Sequence, residues 1–313
     1  MKILFSSSEA APLIKTGGLA DVAGSLPSTL RSMGHDCRLV LPAYPEAMAK
    51  SRSLQTVAEL ELPGSRENTK ILQGLAGPHE VPVYLVDAPH YFQRPGNPYL
   101  SPIGISWPDN PDRFGLFSRA VVHLAMDHCG LSWKPDLVHT NDWQTGLVAP
   151  LMKPMPDRPA CVFTIHNLAY QGLFDRSTFS RLHLPQALWS MDGLEFYGQF
   201  SFIKGGIAFA DRVTTVSPTY ATEVKSPALG YGLEGLLEHR GSDFRGILNG
   251  IDYHVWDPEN DPHIDTPYSA AQFKAKLANK RALQREFGLP ENERIQLFGY
   301  IGRLVDQKGV DLI

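Results

Sequence analysis

The sequence predicts an α/β fold: a doubly wound, mainly parallel sheet followed by the start of a second unit of the same kind. Three observations carry this. Short apolar runs without polar alternation, the pattern of strands buried on both faces, alternate with stretches of helical periodicity. The first strand runs through a glycine-containing loop into a helix and on to a second strand, a unit that ends in parallel pairing. A polar stretch over 252–269, punctuated by Asp257-Pro258 and Asp261-Pro262, separates this series from a later helix and strand.

The elements follow in order. MKILFS reads as a short buried strand. From Leu19 the period changes, and Leu19, Val22, Ala23, Leu26 and Leu30 form one helical face, with Pro27 as a kink or reset point. Met33-Gly34-His35-Asp36 stops that helix, and 37–42 is the second strand. Val81–Asp87 reads as a strand and 114–126 as a helix with Phe114, Phe117, Val121, Leu124 and Ala125 on one face. A strand at 136–139 leads to a helix after Asp142-Trp143, and a strand at 161–165 ends in His166-Asn167. A helix at 202–210 and strands at 212–216 and 244–248 complete the first lobe. A helix over 270–287 and a strand over 295–301 open the second, so 1–248 is one lobe and 249–313 a linker with the beginning of another.

Composition excludes several classes. The chain has 313 residues, 43% hydrophobic and 20% charged, an ordinary globular profile of about two domains. A net charge of −4 supplies no basic field for nucleic acid. No apolar run approaches the roughly 18 residues of a membrane span, and the first residues resemble neither a secretory nor a transit signal. Cys37, Cys129 and Cys161 are odd in number and widely spaced, so they read as buried thiols in a reducing cytoplasm rather than a disulfide framework or a metal site.

In such sheets ligands gather at the carboxyl ends of the strands. Lys15, Asp142, His166, Asn167, Asn249 and Arg303 all fall at strand ends. Gly17 and Gly18 lie at a helix N-terminus, where unpaired amides and the dipole favour an anion, and Lys15 adds a mobile charge. Each group also has an ordinary reading. The glycines make a tight turn beside a solvated lysine, Asp142 caps the helix after it, and His166 sits bonded in the core. Asn249-Gly250 is then a turn, and Arg303 with Lys308 a solvated pair. Neither G-x-G-x-x-G nor G-x-x-x-x-G-K-[ST] is present. The joint position of six such groups on one face favours a site.

A set of longer stretches is more specific: KTGGLADVAGSLP, RPGNPY at 94–99, HTNDWQTG at 139–146, FTIHNLAYQG at 163–172, ADRVTTVSPTYATE at 210–223, YGLEGLL at 231–237, ILNGIDYHVWDP at 247–258 and GRLVDQKG at 302–309. In this order they resemble bacterial glycogen synthases, of the starch/glycogen synthase family of retaining glycosyltransferases. The resemblance implies a GT-B fold, with the active site in a cleft between two Rossmann-like lobes. It also implies transfer of glucose from ADP-glucose to the non-reducing end of an α-1,4-glucan, with no resident cofactor or metal. By motif position, Lys15, Gly17 and Gly18 lie near the donor diphosphate, and Asp142 and His166 near the transferred glucose. Asn167, Asn249, Arg303 and Lys308 complete the donor side; Glu9 and Tyr99 lie along the acceptor. Gln144 stands where many members carry histidine; it keeps a hydrogen bond to a sugar hydroxyl but cannot take up charge.

The chemistry so implied is electrostatic. Breaking the bond from glucose C1 to the diphosphate puts negative charge on the leaving group, which Arg303, Lys308 and the Gly17–Gly18 amides stabilise. Asp142 and His166 orient the sugar. No recognisable carboxylate pair suggests a glycosidase, and no D-x-D-like or His/Cys cluster suggests a metal. Two other classes are alternatives. A nucleotide-binding oxidoreductase lacks its glycine fingerprint and an acidic residue after the second strand. A non-catalytic glucan-binding module would use Tyr99, Trp107, Trp143, Tyr170 and Tyr197 for stacking, although core packing is the commoner fate of aromatics. Because 309–313 make only about one helical turn, the expectation is that these 313 residues alone do not turn over, while the part up to about Leu248 folds.

Overall fold

β1 (Lys2–Ser6) forms from the first apolar run and becomes the middle of the sheet. Ile3, Leu4 and Phe5 are at most 3% exposed, which explains why the strand carries no polar alternation. The computed structural model describes residues 1–302, 304 and 306–313. It divides into two units, Met1–Gly250 and Ile251–Ile313.

The strands of the first unit follow in chain order. They are β2 (Asp36–Pro42), β3 (Arg52–Leu60), β4 (Thr69–Ala76), β5 (Val81–Asp87), β6 (Leu137–Asn141) and β7 (Ala160–Ile165), then β8 (Leu173–Phe174), β9 (Glu195–Phe196), β10 (Gln199–Ser201), β11 (Arg212–Thr215) and β12 (Phe244–Gly246). Among the described residues, nine of these form one sheet in the order β12-β11-β7-β6-β1-β2-β5-β4-β3. From β12 to β5 every pairing is parallel, as the sequence predicts. The antiparallel edge β3–β4 beyond β5 is not foreseen, because β3 is largely exposed and carries Arg52, Gln55 and Glu59. β8, β10 and β9 form a small antiparallel sheet after β7.

The first helix, α1 (Gly18–Ser32), buries Leu19, Ala20, Ala23 and Pro27. It runs through Pro27 rather than resetting there; packing of this face holds the turn that the missing N–H weakens. Gly24 is required by proximity: a Cβ there would lie 2.2 Å from the Ala11 carbonyl oxygen. The helix expected at 114–126 starts earlier and covers Asn110–Ala125, with proline in its first turn. The helix expected after Asp142 is only a 3₁₀ turn, Trp143–Thr145, followed by Val148–Met152. Cys37 and Cys161 are buried in β2 and β7, and burial pushes both thiols up to about 12.

In the second unit the helix is Lys276–Glu286, shorter than the predicted 270–287. The Asn279 side chain clasps the Thr266 backbone both ways, at 2.9 and 2.7 Å. The strand predicted at 295–301 is absent among the described residues, and Ile295, Phe298 and Ile301 are exposed. An isolated parallel strand has no neighbour to receive its N–H and C=O groups, so apolar sequence alone does not form one.

Candidate active site

Parallel register brings the strand ends of the first unit together. Ser6 pairs with Thr140, Asn141 with Thr164 and Ile165 with Thr215, so Ser7–Glu9, Asp142 and His166-Asn167 leave the sheet side by side.

Asn141, fully buried, organises this edge. Its Nδ2 donates to the Ser6 carbonyl at 2.9 Å, which turns Oδ1 toward His166 Nε2, also at 2.9 Å. An amide oxygen only accepts, so Nε2 carries the proton and Nδ1 keeps a lone pair. Burial lowers the His166 pKa to about 4, so the ring is neutral at physiological pH. This chain makes His166 a hydrogen-bond acceptor through Nδ1.

Asp142 does not cap the turn after it; no side-chain cap bond forms. Its carboxylate instead accepts the backbone N–H of His166 at 2.7 Å and of Asn167 at 3.4 Å, which locks the end of β7 to the end of β6. Burial raises its pKa to about 7 against the opposing pull of those two amides. Its φ of 55° with ψ of 179° lies in a region that non-glycine residues rarely adopt, and the surrounding bonds hold it there.

The glycine loop is arranged differently from the sequence expectation. The resemblance sets Glu9 on the acceptor side, yet Glu9 is 4% exposed and its carboxylate accepts the Thr16 amide and, at 3.2 Å, the Gly17 amide. Two of the amides ahead of α1 are therefore taken by an internal carboxylate, whose pKa is raised by burial. Among the described residues the Gly18 amide has no such partner, as is usual for the first N–H of a helix. Lys15 Nζ pairs with Asp21 at 2.7 Å, both half exposed.

The Tyr99 hydroxyl meets Ser8 Oγ at 2.8 Å, and burial holds its pKa well above the ordinary phenol value. Gln144, placed by resemblance at the acceptor, is 6% exposed; Oε1 is enclosed without a hydrogen-bond partner among the described residues. The short turn after Asp142 packs it inward, and its carbonyl takes a long bond from Ser118. Asn249 is exposed just beyond β12. Lys308 belongs to the second unit, in a 3₁₀ turn at Asp306–Lys308, and Arg303 lies outside the described residues. The first unit thus brings together Glu9, Lys15, Gly17, Gly18, Tyr99, Asp142, His166 and Asn167. Asn141 and Ser8 are additions that sequence reasoning passed over, although both sit directly beside residues it selected.

A cavity of roughly 570 Å³ opens beside this edge, lined by Trp107, Asn110, Trp143, Tyr170, Gln171, Phe174, Phe196 and Tyr231 among others. Trp143 is core as well as wall: its ring packs edge-on to Phe114 at 5.0 Å and Phe202 at 5.6 Å. The Trp107 indole N–H is buried without a partner among the described residues. Among the described residues no group of His, Cys, Asp and Glu is arranged to hold a metal, and no helix is long and apolar enough to cross a membrane.

Known proteins match this chain along most or all of its length. The starch synthase catalytic domain family matches residues 2–239. Glycogen synthase 1 of Methylococcus capsulatus is 53% identical over the whole chain, which spans 63% of that protein. A glycogen synthase of Thioalkalivibrio sulfidiphilus is 55% identical, with 65% of its length covered. The chain thus spans just under two thirds of these relatives. The catalytic domain of starch synthase IV from Arabidopsis thaliana, bound to ADP and acarbose, superposes with a TM-score of 0.85 at 35% identity, over 99% of this chain and 64% of that one. The fold is accordingly the α/β, GT-B type of that catalytic domain, and the chain belongs to the starch synthase catalytic domain family.

Proposed function

We propose that this protein is a cytoplasmic glycogen synthase, transferring glucose from ADP-glucose to the non-reducing end of an α-1,4-glucan with retention at C1. The observation that carries the reading is identity of 53–55% with glycogen synthases along the entire chain. Likeness to a starch synthase bound to ADP and acarbose supports a nucleotide sugar and a glucan as the two substrates.

In the reaction, the bond from glucose C1 to the diphosphate oxygen breaks and ADP leaves. A bond from C1 to the 4-hydroxyl oxygen of the terminal glucan residue forms on the same face, and that hydroxyl releases its proton. The Gly18 amide and Lys15 receive charge that builds on the diphosphate, with Arg303 and Lys308 assigned the same task by resemblance. His166 accepts a hydroxyl of the transferred glucose at Nδ1, and Asp142 fixes the backbone that aims it. The aromatic cavity beside Trp107 supplies apolar faces for the glucan, and the Tyr99 carbonyl accepts hydrogen bonds from two residues of its wall, Trp107 and Asn110. No resident cofactor is needed.

The test is transfer of labelled glucose from ADP-glucose into glycogen by the intact protein, with UDP-glucose alongside. Incorporation with net retention supports the reading. Hydride exchange with a nicotinamide cofactor, or glucan binding without donor turnover, replaces it by one of the alternative classes.

A further inference from the structure

The RPGNPY stretch contributes only Tyr99 to the proposed chemistry, yet Arg94, Asn97 and Pro98 in it are also held by hydrogen bonds. Arg113, in the first turn of the Asn110–Ala125 helix, is 1% exposed and makes no ion pair among the described residues. Its Nε donates to the Tyr91 carbonyl at 2.7 Å. Nη1 donates to the Pro98 carbonyl at 2.9 Å and to Asn110 Oδ1 at 2.7 Å. Burying a guanidinium without a carboxylate is costly, and an apolar residue would fill the same space at lower cost. What the cation does is close the base of the 92–97 loop from inside, gathering carbonyls from both of its ends.

The same segment is held from outside. Asn97 Oδ1 accepts the amides of Tyr99 and Leu100, each at 2.8 Å. Between the two clamps, Tyr99 has its amide bonded to Asn97 and its carbonyl to Asn110 Nδ2 at 3.1 Å. Its hydroxyl meets Ser8, next to the Glu9 carboxylate that holds the glycine loop.

We propose that Arg113 and Asn97 are positioning residues for glucan binding, which they serve by fixing Tyr99 between the acceptor cavity and the glycine loop. The proposal rests on the reading that Tyr99 faces the glucan. Lysine at 113 keeps the charge but loses the fork that reaches two carbonyls and a side-chain amide together. Alanine at 97 deletes a cap from an exposed side chain and leaves the core intact.

The experiment measures KM for glucan and for ADP-glucose separately, in the intact protein, for Arg113→Lys, Asn97→Ala and Tyr99→Ala, and for each of the first two combined with Tyr99→Ala. A misfolded fraction lowers apparent kcat but not KM, so a residue that only stabilises the fold leaves both KM values unchanged. The expected result is a glucan KM raised about fivefold or more by each single variant, a donor KM within about twofold, and no further rise in the Tyr99→Ala background. If Arg113→Lys does not fold, Asn97→Ala decides alone. An unchanged glucan KM in the clamp variants, with a raised one in Tyr99→Ala, overturns the inference and leaves the role of Tyr99 standing. An unchanged glucan KM in Tyr99→Ala overturns both.

Discussion

Replacing Asn141 with leucine tests the tautomer assigned to His166. The substitution keeps the branched four-atom outline of the side chain at a position with no exposure, but its methyl groups are bulkier than the amide, so overpacking adds to the loss from the broken bonds. It deletes the bonds to the Ser6 carbonyl and to His166 Nε2. The Ser6 carbonyl, on a fully buried residue, loses about 1–3 kcal/mol, and the His166 ring, freed of its partner, can move its proton to Nδ1, so the loss there is smaller. The total is about 2–4 kcal/mol of first-unit stability. Urea unfolding followed by tryptophan fluorescence gives that number, with Trp256 of the second unit replaced by phenylalanine to confine the signal to the first. The tautomer is read separately, from the long-range ¹H–¹⁵N correlations of the His166 ring. The parent protein should show Nε2 protonated, and Asn141→Leu a mixture with Nδ1 protonated. A parent ring protonated at Nδ1, or a leucine variant as stable as the parent, would refute the reasoning.

Lys15→Ala should leave stability within about 1 kcal/mol, because its Asp21 pair is half exposed, yet lower kcat/KM for ADP-glucose about 10- to 150-fold; unchanged donor kinetics would remove Lys15 from the diphosphate site. Gly24→Ala should destabilise by about 1–3 kcal/mol despite alanine's better helix propensity, since its Cβ would sit 2.2 Å from the Ala11 oxygen; a gain in thermal midpoint would contradict the close approach. Asp142→Asn should change how stability depends on pH. The folded pKa of about 7 lies above the unfolded value near 3.8, so Asp142 contributes stability at low pH that is lost as pH rises through 7. The variant should therefore gain on the parent between about pH 4 and 7, by at most about 1.4 kcal/mol per pH unit. Parallel stability curves would show that the carboxyl is not raised.

Local sequence by itself determined the parallel half of the sheet. Ile3-Leu4-Phe5, Leu39-Val40-Leu41 and the run at 161–165 are apolar on both faces, and such strands exist only where sheet neighbours and helices cover them. The motifs likewise located the strand-end residues, because a βα loop must leave the sheet at its carboxyl edge. Tertiary structure alone decided what those side chains do. Nothing near Glu9 in the chain indicates that its carboxylate turns back onto the Thr16 and Gly17 amides rather than outward to an acceptor. Gln144 is buried within the turn that follows Asp142, a placement its neighbours in the chain do not indicate. The edge strand β3 and the absent strand at 295–301 are two sides of one cause. A polar segment becomes a strand when β4 offers its ladder, and an apolar one does not when no neighbour is present, since backbone pairing is a long-range contact that local composition does not encode.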